Sequence, residues 1–355
     1  MPSNCSNDME RALISGGGGF IGSHVAEFYA RMGKEVIIFD NLSRARLFGQ
    51  SERYFDYNWR YLQQFKNVKL IKGDIRSINQ IEDACKDVDM IVHTAAQTAV
   101  TTSITDPVTD FHTNALGTFN ILEVARKSEN NPMIIYTSTN KVYGENVNKI
   151  RLEKDGIRYK FTDDKFEEGI PEDFPIDLCA HTPYGCSKLL GDIYVQDYSH
   201  VYGLRTFVFR MSCIYGKRQF GVEDQGFVAH FVISTVLKHP MTIYGDGLQV
   251  RDLLYIDDLV RAFDLATDLS KSGVYNIGGG VKNTASLLEI IEYLEEISGL
   301  TINLKFNNWR PYDQKVYYSN IEKAKKELGW EPEVSWKEGL KKLYDWVVEN
   351  KNILI

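Results

Sequence analysis

The chain has 355 residues, a net charge of −7 and an isoelectric point of about 5.6. With 43% hydrophobic and 25% charged residues, it is long enough to bury an ample core in one large domain or two ordinary ones. The acidic balance excludes a general attraction to nucleic acid or to an anionic membrane, so any phosphate in a ligand must be held by local devices.

The opening "MPSNCSNDME" is polar and reads as a frayed terminus. No signal peptide is expected, and no apolar run reaches bilayer length. Five scattered cysteines (Cys5, Cys85, Cys179, Cys186, Cys213) show neither metal-ligand spacing nor a disulfide framework. They read as reduced thiols in a cytoplasmic protein with no bound metal.

Six short runs read as strands: "RALISGG" (11–17), "EVIIFD" (35–40), "VKLIKGD" (68–74), "MIVHTAA" (90–96), "MIIYTST" (133–139) and "TFVFRMS" (206–212). They are rich in Val, Ile and aromatics and do not alternate, as expected of strands buried on both faces. Helical patterns such as "FIGSHVAEFYARMG" and "TFNILEVARKSE" lie between them. The fold class is therefore α/β: a doubly wound parallel sheet of Rossmann type, with a smaller α/β substrate-binding domain. The expected dinucleotide domain spans 9–213 and 248–270; the second spans 214–247 and 271–355. Gly-rich turns and two amphipathic helices near 285–299 and 319–328 mark the latter. Residues 145–182 are polar and poorly periodic, which suggests a long loop or excursion. A ligand cleft is expected between the domains, at the carboxyl ends of the sheet strands.

"ISGGGGFIGSH" places Gly16, Gly19 and Gly22 between the first strand and a helix. Glycines there let backbone N–H groups approach a pyrophosphate, and the helix N-terminus favours its charge. The second strand ends at Asp40, where a carboxylate can bond the ribose hydroxyls of NAD and repel the extra phosphate of NADP. Arg44 and Arg46 follow closely and leave NADP open. Asp74 and Ile75 end the third strand, where an adenine would be met; Asp74 also suits a helix N-cap.

Of the twenty tyrosines, only Tyr184 has a lysine four residues on, Lys188. That spacing puts both on one helical face, as it does for ordinary neighbours. Thr139 ends the fifth strand, at the active-site edge of a doubly wound sheet. A phenol titrates near 10 and is a poor base at neutral pH. An ammonium and an oxidised nicotinamide, both cationic, favour the phenolate. Tyr184 could then take a proton from a sugar hydroxyl as hydride leaves, with Thr139 on the same oxygen; a strand-end threonine satisfied by backbone is the alternative for Thr139.

The segments "SGGGGFIG", "FDNLS", "GDIR", "NALGTFNILE", "STNKVYG", "PYGCSK", "YGKRQF", "YGDGLQVRDLLYIDDLVRA", "YNIGGG" and "KKELGWEPEVSWKEGL" resemble the extended short-chain dehydrogenase/reductases that act on nucleotide sugars. The resemblance runs from about residue 11 to 347. It implies a catalytic triad of Thr139, Tyr184 and Lys188, and a conformational role near the site for Asn114. The NAD-binding set becomes Gly16, Gly19, Phe20, Ile21, Gly22, Asp40, Asn41, Ser43, Asp74, Ile75, Ala95, Ala96, Gln97 and Asn114, with Tyr184 and Lys188. The substrate set is Thr139, Asn140, Lys141, Ser212, Arg218, Gln225, Arg251 and Arg310. Arg251 would grip the diphosphate through its planar fork, or else pair with Asp252 or Asp257. Dehydratases of this group carry Thr-Asp-Glu after the fifth strand. Here the run is Thr139-Asn140-Lys141, which disfavours elimination and leaves epimerisation.

Among epimerases, "YGKRQFGVEDQGFV", "GDGLQVRD" and the long stretch between Thr139 and Tyr184 look like those acting at carbon 2 of CDP-linked 3,6-dideoxyhexoses. The alternatives are a UDP- or GDP-sugar epimerase, an NADH-releasing dehydrogenase, and a non-catalytic NAD sensor. The filled triad argues against the sensor. The family also implies a homo-oligomer, a dimer or tetramer; a dimer would pair through helices including those at "NALGTFNILEVARK" and "YGCSKLLGDIYVQDY", whose apolar faces equally suit the core.

Overall fold

The computed structural model describes residues 9–44, 54 and 56–354; Cys5 and Arg46 lie outside them. All six expected runs form strands: β1 (Arg11–Ser15), β2 (Glu35–Asp40), β3 (Val68–Lys72), β4 (Met90–His93), β5 (Met133–Thr139), and Thr206–Met211. A seventh, Gly273–Ile277, joins the same sheet. The order is Gly273–Ile277, Thr206–Met211, β5, β4, β1, β2, β3. The pairs β1–β2, β2–β3, β1–β4 and β4–β5 are parallel. Chain order reverses between β1 and β4, which makes their carboxyl ends the switch point where such sheets bind ligands.

Helix α1 (Phe20–Arg31) packs Val25, Ala26, Tyr29 and Ala30 into the core at three- and four-residue spacing, and its first turns also bury Gly22, Ser23 and His24. β4 and β5 are buried along their whole length. β3 departs from the both-faces expectation, because it is the sheet edge and exposes Lys69 and Lys72. Edge lysines blunt unwanted strand pairing.

The chain divides into two compact units. The first runs to Thr139 and adds Pro183–Arg210 and Val260–Tyr275; the second takes Asn140–Thr182, Met211–Leu259 and residues from Asn276 onward. These limits differ from the expected domains. Residues 140–182, 211–213 and 248–259 fall in the second unit, and 271–275 in the first, because Gly273–Ile277 completes the large sheet.

In the second unit, strand Val250–Tyr255 is central. It pairs with Cys213–Tyr215 and Val316–Tyr317 in parallel and with Thr284–Ser286 in antiparallel. The two expected helices are present as Leu287–Ser298 and Glu322–Leu328. The first begins in a capping box of Ser286 and Glu289 and ends at Gly299 with φ 66°. A longer helix, Trp336–Glu349, is additional. Its sequence signal is Ser335 capping Glu338, followed by buried Leu340, Leu343 and Val347.

The 145–182 stretch is not all loop. Strands Leu152–Asp155 and Arg158–Phe161 form a hairpin. Gly156, at φ 59°, opens its two-residue turn, where an L side chain would be strained. No helix among the described residues is long and apolar enough to cross a membrane, and no group of three or more His, Cys, Asp or Glu there is arranged to hold a metal ion.

Within the first unit, Asp192 (0% exposed) meets the guanidinium of Arg210 (4%) at 3.0 and 3.1 Å. It also accepts from Ser138 Oγ at 2.6 Å and Gln196 Nε2 at 2.6 Å. Arg210→Met leaves that carboxylate buried without its cation. Urea unfolding of the variant is expected to show a loss of about 3–5 kcal/mol.

Candidate active site

At the switch point, β1 passes directly into Gly16, whose φ is 73°. A Cβ there would lie 2.5 Å from Ala95 N. One on Gly22 would lie 2.5 Å from Gly16 O and 2.8 Å from Thr94 Oγ1. These glycines let α1, β1 and the turn after β4 touch through backbone. A Cβ on Gly19 would meet only Gly16 O, at 3.1 Å, so this glycine borders open space. Gly19 is also the N-cap of α1, with no side-chain cap and no acid in the first turn. The N–H groups of Phe20, Ile21 and Gly22 thus remain for an anion. A backbone cradle of this kind fits a dinucleotide pyrophosphate.

Asp40 takes Gly18 N–H on Oδ2 at 2.9 Å and Leu42 N–H on Oδ1 at 2.7 Å. Burial raises its pKa and these two donors oppose the rise. The acid therefore ties down the glycine loop, with lone pairs left for a ribose. Asn41 accepts from Ser43 N–H and donates to Asp74. Asp74 is not an N-cap: Ser77 holds that position on helix Ile78–Ala84. Arg76 grips Asp74 at 2.6 and 2.9 Å and pulls its pKa down to about 2. Ile75 is core (5% exposed), and its carbonyl accepts from Asn120. Burial lowers Arg44 to about 10.

Ala95 and Ala96 are partly exposed beside Gly16. Gln97 and Asn114 are fully engaged with protein. Gln97 N–H donates to Asn114 Oδ1 at 2.8 Å, and Gln97 Nε2 to Asp110 Oδ1 at 2.9 Å. Asn114 Nδ2 reaches Gln97 O, Asp110 and Ser187 at 2.9–3.1 Å. Asn114 lies in a π-helical turn, His112–Leu116, a distortion that recurs at functional sites. Its place is in the scaffold under the site.

Sequence reading missed the groups that complete this scaffold. Asp110 (0% exposed) accepts from Ser187 Oγ at 2.5 Å, one residue before Lys188. Ser103 Oγ accepts Tyr184 N–H at 3.1 Å. His93 bridges Ser15 Oγ and Thr118 Oγ1, and burial lowers its pKa to about 3, so the ring is neutral. No local signal marks Asp110 or His93; each acquires its role through residues distant in the chain.

Tyr184 and Lys188 sit in the first turns of helix Thr182–Tyr202. Thr139, 7% exposed at the end of β5, hydrogen-bonds the Tyr184 side chain. Lys188 is 3% exposed, with Nζ 4.1 Å above the Tyr136 ring. The first unit thus brings all three expected catalytic residues together. Their electrostatics differ from the expectation, however. Burial pushes the Tyr184 phenol up to about 12, opposed by Thr139 and reinforced by Asp110. Burial pulls Lys188 down to about 7, against the raising effect of Asp192 and Asp110. The lysine alone does not make a phenolate here, because desolvation penalises both charged forms.

In the second unit, Arg251 (7% exposed) donates from Nη2 to Asp313 Oδ1 at 2.8 Å. Its ion-pair partner is thus neither Asp252 nor Asp257. Asp252 is occupied by Ser212 Oγ and Ser319 N–H. Lys141 Nζ lies 3.9 Å from the same Asp313 oxygen and 3.4 Å from Gln314 Oε1, which also accepts from Asn140 Nδ2 at 3.0 Å. Burial lowers the pKa of Lys141. Arg310 stacks 4.1 Å over the Tyr244 ring and pairs with Asp224 at 2.8 Å. Arg218 is 6% exposed and adopts φ 60°; Gln225 exchanges backbone bonds with Val222.

Comparison with known proteins agrees with this geometry. Residues 12–278 match the model of the NAD dependent epimerase/dehydratase family. The chain is 39% identical to CDP-paratose 2-epimerase of Salmonella typhi, covering 95% of this chain and 98% of that one. Its fold is similar to that of UDP-glucose 4-epimerase from Thermotoga maritima with UDP-glucose (TM-score 0.80, 30% identity, 96% and 99% of the two chains). It is also similar to the Thermus thermophilus UDP-glucose 4-epimerase complex with NAD (TM-score 0.77, 29% identity, 95% and 98%). The chain belongs to the NAD dependent epimerase/dehydratase family, and its class is that of the NAD-dependent nucleotide-sugar epimerases.

The lysine shift has a signed consequence. Lys188 falls from 10.5 to about 7 on folding, so between those values the unfolded chain binds a proton that the folded chain lacks. Stability then rises with pH across that window. In NAD-stripped protein, the wild type should gain stability from pH 7 to 9 relative to Lys188→Met, as read by urea midpoints at each pH.

Proposed function

We propose that the protein is a CDP-paratose/CDP-tyvelose 2-epimerase, inverting carbon 2 of a CDP-linked 3,6-dideoxyhexose. The observation that carries this is the 39% identity to the Salmonella typhi 2-epimerase across nearly the full length of both chains. The run Thr139-Asn140-Lys141 supports it, because no carboxylate follows the threonine to drive elimination.

In this reading Gly16, Gly19 and Gly22 with the α1 N-terminus hold the pyrophosphate, Asp40 the adenosine ribose, and Lys188 the nicotinamide ribose. NAD, when bound, supplies a reversible hydride acceptor and a cationic ring that favours the Tyr184 phenolate. Tyr184 would take the hydroxyl proton of carbon 2 as that carbon is oxidised, and Thr139 would bond the same oxygen. When carbon 2 is reduced again on its opposite face, Tyr184 would return the proton. Arg218, Arg251 and Arg310 hold the diphosphate, and Ser212, Gln225, Asn140 and Lys141 border the sugar. A second reading, a UDP-sugar 4-epimerase, is favoured by the likeness to the Thermotoga maritima enzyme. Such a 2-epimerase would serve surface-polysaccharide synthesis. Cys85, Cys179, Cys186 and Cys213 form no disulfide with one another, which suits a reducing, cytoplasmic compartment.

The assembly in this reading is a homodimer. Val108, Phe111, Ile193, Tyr194, Val201 and Tyr202 are each 40–63% exposed, on helices of the first unit. These exposed apolar side chains support that reading, since an interface would cover them. Sedimentation equilibrium should return twice the chain mass, and Val201→Lys with Val108→Lys should return the chain mass.

Proton NMR in deuterated water, with no added cofactor, tests the reaction. CDP-paratose should invert at carbon 2 without deuterium uptake, and Tyr184→Phe should abolish the inversion while retaining bound NAD. Inversion of UDP-galactose at carbon 4 with paratose untouched would replace the substrate by that of the second reading.

A further inference from the structure

The hairpin Leu152–Phe161 belongs to no part of the dinucleotide scheme, yet one of its residues, Tyr159, grips a short turn. Leu152, Tyr159 and Phe161 pack against buried Val250, Val316 and Tyr318. Arg158 chelates Glu289 at 2.7 and 2.9 Å and donates to Thr284 O at 3.0 Å. These contacts seat the hairpin. Tyr159 does something different: its N–H donates to Leu248 O at 2.9 Å, and its hydroxyl to Asp246 Oδ2 at 2.6 Å. Asp246 Oδ1 in turn accepts Leu248 N–H at 3.1 Å. The phenol remains a donor at working pH, since Asp246 pushes it up to about 12.

The turn so gripped runs from Tyr244 to Gln249. Gly245 and Gly247 take φ 90° and 80°, and Gln249 Nε2 bonds Tyr244 O at 2.7 Å across it. Two glycines make a turn that its own backbone restrains weakly. At one end, the Tyr244 ring carries the Arg310 guanidinium at 4.1 Å. At the other, Val250 leads into Arg251, and Arg251 Nη1 bonds Val250 O at 2.8 Å. Two of the three arginines assigned to the diphosphate, Arg310 and Arg251, are therefore mounted on the two ends of a turn whose middle is held by Tyr159.

We propose that the hairpin is a positioning element for the nucleotide-diphosphate half of the substrate, with Tyr159 setting the Tyr244–Gln249 turn and thereby the spacing of Arg310 and Arg251. This rests on the reading that those arginines bind the diphosphate. Tyr159 touches no reacting atom, so its effect falls on binding and leaves the hydride step alone.

Calorimetric titration of the NAD-loaded protein with CDP, beside steady-state kinetics on CDP-paratose, tests it. Tyr159→Phe keeps the ring packing and removes one hydroxyl. The Kd for CDP should rise about three- to tenfold and KM should follow, with kcat within about twofold and bound NAD unchanged. In an Asp246→Ala background the same substitution should add nothing, because the effect passes through that carboxylate. An unchanged Kd, a fall in kcat at unchanged Kd, or an equal loss in both backgrounds would overturn the proposal. Arg251→Met, titrated in parallel, separates the premises. If it also leaves the Kd unchanged, the diphosphate reading falls; if it weakens binding while Tyr159→Phe does not, the hairpin's role alone falls.

Discussion

Two buried carboxylates, Asp110 and Asp192, decide where the catalytic helix sits. Asp110 takes the hydroxyl of Ser187, and Asp192 takes Ser138 and the guanidinium of Arg210. Tyr184, Lys188 and Asp192 recur at four-residue spacing, so one helical face carries the phenol, the amine and the anchoring carboxylate. With Asp192 docked, Lys188 lies over Tyr136 and Tyr184 meets Thr139. Neither carboxylate is cheap to bury. Each is kept because its polar partners are buried with it and satisfied.

That docking has an electrostatic cost, which the chemistry then uses. The same desolvation raises the phenol and lowers the ammonium, so both are held toward their neutral forms. A cationic ring brought beside such a pair shifts the phenol strongly, because low-dielectric surroundings magnify charge. In the proposed reading, Tyr184 would therefore become a base mainly with the oxidised cofactor in place. The glycine loop serves the same end by other means. It admits backbone where side chains would collide, and Asp40 fixes its path with two N–H bonds.

In the second unit the arginines are held before any ligand arrives. Arg251 leans on Asp313, and Arg310 on Asp224 and the Tyr244 ring. A guanidinium oriented in advance loses less freedom when it takes up a phosphate. Lys141 and Asn140 are drawn to the Asp313–Gln314 pair, distant in sequence. Lysine in place of an acid after Thr139 thus has a structural partner as well as a chemical consequence.

The strand runs, the glycine loop, Asp40 at the end of β2 and the meeting of Thr139, Tyr184 and Lys188 were legible in the sequence, because each depends on local pattern: apolar runs, positive φ and four-residue spacing. The edge character of β3, the seventh strand and the hairpin were not, because pairing partners and exposure are set by neighbours far along the chain. Nor were Asp110, His93 and Ser187, whose roles arise only when β4, the π-turn and the catalytic helix meet. The protonation of Tyr184 and Lys188 belongs to tertiary structure for the same reason. Spacing determines that the two groups are neighbours; only the packing around them determines how much water each retains, and that sets which form each one holds.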